Sequence, residues 1–193
     1  MLHLSPLIIV LCVLFLFGCA THEVPSNKTD FRGVELGSAP GHDMVPSGLD
    51  LFEHFPDILI RSYVNPSEEL SFGEIPIDGI MYEYFEQKLY KIFIEVGEDQ
   101  ACQKAQNLNK AFAISYEKNF KVKYFPDTGG FYWSSGQTKP KIEISCDTSL
   151  LTGKRTTMVF ITEPALKAAA DQYQAEIRRQ KSELEARKLS ESF

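Results

Sequence analysis

Polarity along the chain changes character several times. Leu7 to Phe17, LIIVLCVLFLF, is an unbroken run of eleven apolar residues. Ala20 to Asp30, ATHEVPSNKTD, is polar and aperiodic. From Phe31 onward, short apolar stretches are punctuated by Gly and Pro. FRGVELGS opens with a short strand, LFEHF and ILIRSYV are strand candidates around Pro56-Asp57, and ELSFGEIPI is another, with Pro76 at its edge or end. The sharpest signal is a hairpin: IMYEYF and KLYKIFIEV, rich in aromatic and β-branched residues, separated by Glu86-Gln87. Alternation puts Tyr90, Ile92, Ile94 and Val96 on one face of the second strand and Leu89, Lys91, Phe93 and Glu95 on the other. The first set is all apolar or aromatic and is expected to face the core.

The period then changes. Within Asp99 to Asn119, Ala101, Ala105, Leu108 and Phe112 recur at helical spacing among Gln, Lys and Asn, which predicts an amphipathic helix. FKVKYF, GGFYWSS, PKIEISCD and KRTTMVFIT read as four further strands, and Pro164 opens a long helix rich in Ala, Glu, Lys and Arg. Strands joined by short turns pair antiparallel. The expected class is α+β: a curved antiparallel sheet with one helix packed on it, plus a long C-terminal helix. The expected divisions are a signal at 1–18, a tether at 19–30, the α+β domain at 31–162 and the C-terminal helix at 163–193.

The apolar run is too short to span a bilayer, which takes about 20 residues. It matches the core of a secretory signal, about 7–15 residues long. Leu16-Phe17-Gly18-Cys19 follows. This resembles the lipobox of bacterial lipoproteins, with a hydrophobic residue three before the cysteine and a small one directly before it. MLHLSP carries no Lys or Arg, and Phe17 is bulkier than the usual residue at its place. The resemblance implies lipidation of Cys19, whose sulfur takes a diacylglyceryl group, followed by cleavage before it and acylation (commonly by palmitate) of the freed amine. Two or more acyl chains hold a protein stably. Ala20, in place of Asp, implies the periplasmic face of the outer membrane. The alternative for the same run is an uncleaved signal anchor.

The mature chain offers a second, looser resemblance. An opening F-x-G-x-x-x-G in FRGVELGS, the central hairpin, and the late FYWSSG…KIEIS are similar to an uncharacterised group of small secreted and lipoprotein domains of Gram-negative bacteria. It would cover about residues 31–162. The group implies a fold but no activity.

Charge narrows the partners. The 193 residues carry a net charge of −6, and residues 1–18 contribute no Lys, Arg, Asp or Glu. An acidic domain lacks the clustered positive face that nucleic acid or anionic lipid requires, so attachment to a membrane falls to the N-terminal lipid.

Recognisable reaction chemistry is missing. After processing, Cys102 and Cys146 are the remaining cysteines. In an oxidising compartment a disulfide between them would tie helix to sheet, while the alternative is two buried thiols. No Cys-x-x-Cys is present. His22, His42 and His54 match no ligand spacing, so no metal or other cofactor is expected. SSGQTK is not Ser-x-x-Lys and Gly-x-Ser-x-Gly is absent. PDTGG lacks alternating oxygen ligands, so turns are expected at both, and ELGSAPG lacks the Lys-Ser/Thr of a phosphate-binding loop. Tyr132 and Trp133, with Phe131, Tyr82, Tyr84, Phe85 and Tyr90, form an aromatic cluster that is either core or a ligand-binding face.

In the last helix Leu166, Ala170, Tyr173, Ile177 and Leu184 recur at three- and four-residue spacing, with Glu183–Arg187 as an i,i+4 pair. RRQKSELEARKLSESF beyond them is too polar for a core. It is either a solvated extension or a coiled-coil-like arm, with Tyr173, Ile177 and Leu184 as the partner-binding residues. The expected function is a non-enzymatic, lipid-anchored periplasmic interaction or assembly module of an envelope complex, with a protein partner there. The alternative is a periplasmic domain that binds a small or extended ligand through Tyr132, Trp133 and neighbouring rings.

Overall fold

The computed structural model describes residues 29–48, 59–137, 139–148 and 153–191. The signal, Cys19, the tether up to residue 28, LFEHF, His22 and His54 lie outside the described residues. Among the described residues, two small hairpins and an eight-stranded sheet make up the strands. β1 (Asp30–Phe31) pairs with β2 (Val34–Glu35). β3 (Val45–Pro46) and β4 (Ile60–Val64) belong to the large sheet. β5 (Ser71–Phe72) and β6 (Ile75–Pro76) pair with each other. β7 (Gly79–Phe85) and β8 (Lys88–Glu98) form the long hairpin, and α1 (Gln103–Ser115) follows. β9 (Lys121–Phe125), β10 (Gly130–Ser134), β11 (Lys141–Thr148) and β12 (Arg155–Thr162) complete the sheet, and α2 (Pro164–Glu191) ends the chain. The class is α+β, as the periodicities require.

All pairs in the large sheet are antiparallel, in the order β3-β4-β7-β8-β12-β11-β10-β9. The chain leaves the middle of the sheet at β8, travels through α1 to the far edge, and meanders back until β12 closes against β8. Glu86 and Gln87 make the hairpin turn with φ of 50° and 63°, the left-handed pair that matches strand twist in a two-residue loop.

Sheet alternation defines two faces. The inner face carries Ile80, Tyr82, Tyr84, Ile92, Ile94, Trp133, Ile142, Ile144, Val159 and Ile161, and α1 lays Ala105, Leu108 and Phe112 on it. Fully burying each large aliphatic contributes about 1.5–3 kcal/mol. Across this core Cys102 and Cys146 are joined, with a Cα–Cα distance of 5.7 Å.

Three local expectations are corrected. Tyr90 does not share a face with Ile92. The β7–β8 register shifts between Glu83 and Tyr84, pairing Glu83 with Lys91 but Tyr84 with Leu89. Tyr90 is therefore the extra residue of a bulge. Leu89 takes the inner position, and Tyr90 turns outward to join Ile60, Phe85 and Ala170 in a second cluster. ELSFGEIPI is not one strand but the β5–β6 hairpin, because Gly73, at φ 56°, turns the chain between Phe72 and Ile75. The central helix spans Gln103–Ser115 and not Asp99–Asn119. Ala101 is exposed ahead of it, and Cys102 sits at its N-cap with φ 54° and no side-chain cap bond.

The capping falls to Asp99, three residues earlier. Its Oδ1 accepts from the Gln103 N–H at 2.8 Å and its Oδ2 from the Ala105 N–H at 2.9 Å. The same Oδ2 accepts from the Thr157 hydroxyl at 2.9 Å. One buried carboxylate thus satisfies two first-turn donors and pins the helix to β12.

Candidate functional site

Two surfaces outside the main core involve α2. Pro164 opens the helix, where its missing N–H costs nothing. Glu163 supplies the cap: its Oε2 accepts from the Leu166 N–H at 2.6 Å. The Glu163 N–H donates to the Tyr90 carbonyl at 2.9 Å, fastening the helix start to the bulged strand.

The first half of α2 packs on the outer face. Ala170 is fully buried against Ile60, Phe85 and Tyr90, with Leu166, Ala169 and Tyr173 around it. The Tyr173 ring lies 5.7 Å from that of Phe85, and its hydroxyl accepts from the Leu59 N–H at 3.3 Å. Beneath the helix, the Tyr90 hydroxyl donates to Glu83 at 2.5 Å, while Lys91 pairs with the same carboxylate at 2.6 Å. Burial, then the Glu83 charge and hydrogen bond, push the Tyr90 phenol well above its ordinary range.

Beyond Ile177, which is half-buried, everything from Arg178 to Ser190 is exposed. These thirteen residues project about 20 Å at 1.5 Å per residue. Leu184 and Leu189 are 51% and 63% exposed. Arg179 bridges Glu176 at 2.6 Å and Glu183 at 2.8 Å, so Glu183 pairs back along the helix where Arg187 was the expected partner. Exposed pairs of this kind add little stability. Of the three expected docking residues, Tyr173 is absorbed into the fold, Ile177 marks the boundary, and Leu184 stands clear on the arm.

The second surface is the uncovered part of the outer face. A cavity of about 260 Å³ is lined by Lys91, Tyr132, Glu143, Phe160, Thr162 and Lys167. Cross-strand register explains this set. Glu143 pairs with Phe160 and Phe160 with Phe93, while Lys141 pairs with Thr162 and Thr162 with Lys91. Phe160 is thus the floor, its ring 5.4 Å from that of Phe93. Lys167 comes from the first turns of α2. Glu143 accepts from the Tyr132 hydroxyl and pairs with Lys141 at 2.8 Å. Burial raises the Glu143 carboxyl above its ordinary range, against an opposing pull from Lys167. Burial lowers the Lys141 ammonium, with a further push from Lys167.

Tyr132 and Trp133 are separated by the pleat. Tyr132 lines the cavity, whereas Trp133 is 4% exposed on the inner face, stacked on Phe131 at 5.6 Å. Trp133 is a core residue. So are Tyr82 and Tyr84 of the aromatic cluster, both essentially inaccessible. His42 is exposed beside Asp43, and among the described residues no group of three His, Cys, Asp or Glu could hold a metal ion. No helix among the described residues is long and apolar enough to cross a membrane.

No protein-family model, curated protein or solved structure matches the chain.

Sequence reasoning overlooked Glu143, Lys167 and Phe160. The available signal was alternation within KIEIS and VFIT: once Ile142, Ile144 and Ile161 face inward, Glu143 and Phe160 must share the outer face.

Proposed function

We propose that this protein is a non-enzymatic interaction module of a bacterial envelope complex, held at the periplasmic face of the outer membrane by lipid on Cys19. The observation that carries the docking role is the exposed run from Arg178 to Ser190, a helical arm that the fold itself does not use. A coiled-coil-like contact concentrates its energy in a few anchors, and Leu184 is the large aliphatic at the arm's centre. Deleting Arg179 to Phe193 is expected to leave the melting temperature nearly unchanged, because exposed substitutions usually stay within about 0.5 kcal/mol each. The same deletion is expected to release the protein from its complex in a pull-down, and Leu184→Asp alone to weaken it. Unaltered pull-down by both variants would reduce the arm to a solvated tail.

The anchor is supported by LFGC after the eleven-residue apolar run. Cys19→Ser is expected to block processing and acylation. Radiolabelled palmitate entering the variant as strongly as the wild type would remove the anchor from this reading.

A second reading is favoured by the outer-face cavity. There Tyr132 and Phe160 supply an aromatic wall and floor, with polar groups converging on them. On this reading the domain binds a small ligand, alone or alongside its docking role.

A further inference from the structure

We propose that the free edge of β9 docks an extended peptide in which acidic and apolar residues alternate, the acids facing Lys121 and Lys123 and the apolar residues facing Val122 and Tyr124. This docking surface depends on neither the arm nor the outer-face cavity.

Position comes first. β9 is the last strand in the order of the large sheet, and no described segment pairs with its far side. Its residues pair with β10 in unbroken register, from Lys121 with Ser134 to Phe125 with Gly130. An edge of this kind leaves a row of backbone N–H and C=O groups unpaired, a template for one more strand. Between Lys121 and Phe125 there is no proline and no bulge, the devices that take an edge out of use.

Side chains then select the partner. Cross-strand partners share a face, so Val122 opposite Trp133 and Tyr124 opposite Phe131 lie on the inner face, while Lys121 and Lys123 lie on the outer one. Val122 and Tyr124 are 59% and 53% exposed. The Tyr124 ring lies 5.0 Å from that of Phe131, which stacks on Trp133, so the aromatic row of the core continues out to an exposed edge. Charge narrows the choice further. Lys91, Lys141, Lys154 and Lys167 each pair with a carboxylate. Among the described residues Lys121 and Lys123 pair with none, although Lys123 lies over the Phe125 ring at 4.8 Å. β9 thus carries two lysines and no acid in a chain of net charge −6, and an acidic strand is its complement.

A second copy is the wrong occupant. The antiparallel register that overlaps all of β9 with itself sets Lys123 against Lys123. One step toward the N-terminus sets Lys121 against Lys123 twice, and like charges directly opposite are destabilising. Two cations on one strand are also too few for anionic lipid, which takes clusters of about 4–8.

The test is fluorescence polarisation of the full-length, detergent-solubilised protein with fluorescein-labelled Val-Val-Glu-Val-Glu amide, and with the same peptide carrying Lys for Glu. The acidic peptide is expected to bind saturably and the basic one about tenfold more weakly. Lys121→Glu combined with Lys123→Glu is expected to invert that preference without moving the melting temperature, since both side chains are exposed. Strand pairing also has a phase, because alternate N–H groups face the neighbour. N-methylation of one alternate set in the acidic peptide is expected to abolish binding, and of the other set to spare it. Equal effects of the two methylated peptides would reduce the contact to charge and overturn strand docking. Equal binding of the acidic and basic peptides would overturn the acidic partner. A preference for Glu that survives in the double variant would move the site away from β9 and overturn the assignment. No saturable binding at millimolar peptide would overturn the proposal altogether.

Discussion

Replacing Cys102 and Cys146 together by Ala is expected to destabilise the domain by about 4 kcal/mol, since the bridge closes a loop of roughly 45 residues in the unfolded chain. For a domain of this size that is a fall in melting temperature on the order of 10 °C. The bridge matters beyond loop entropy. It joins the residue that opens α1 to the strand beneath it, and Cys102 holds a left-handed backbone conformation, φ 54°, that favours glycine. Chain made in a reducing compartment is expected to behave like the double variant. Denaturant unfolding of oxidised protein, reduced protein and the Ala variant checks this. Coincident midpoints for oxidised and reduced wild type would show that the bridge stabilises nothing.

Asp99→Ala is expected to cost about 3 kcal/mol, because it strands two helix N–H donors and a fully buried Thr157 hydroxyl at once. Asp99→Asn keeps one oxygen acceptor and is expected to lose roughly half as much. The two variants separate capping from mere occupancy of the site, since Asn fills the same volume. Unfolding midpoints for Ala and Asn that fall together, both near wild type, would mean that the helix start is held by the disulfide alone. Double substitution with the Cys102 and Cys146 changes would then show additive effects only if the two fastenings act independently.

The strands of the long hairpin, the two helices and the inward residues of β8, β11 and β12 were readable from periodicity, because one buried face forces alternation. Tyr90 was not. A bulge adds one residue without changing composition, so LYKIF reads as strict alternation although Leu89 and Ile92 share a face in three dimensions. Asp99 was assigned to the helix because the apolar period changes from there onward. Its role as a cap from three residues outside depends on the left-handed step at Cys102, which leaves no trace in local propensity. Tyr132 and Trp133 were taken as one cluster through being adjacent. The pleat sends neighbours to opposite faces, and with that correction the cavity residues could have been assembled from register alone. Lys167 could not, since its approach depends on where α2 lands.

That landing point also governs the far end of the helix. α2 is held at its base by Glu163, Ala170 and the Phe85–Tyr173 contact, and the residues from Arg178 to Ser190 are exposed. Mechanically it is a cantilever. A tilt of about 10° at the clamp displaces a tip about 20 Å away by roughly 3–4 Å. The reach of the arm is therefore set inside the small cluster of Ile60, Phe85 and Tyr90, far from the residues that would touch a partner. The single extra residue that turns Tyr90 outward fixes the angle at which this lever leaves the domain.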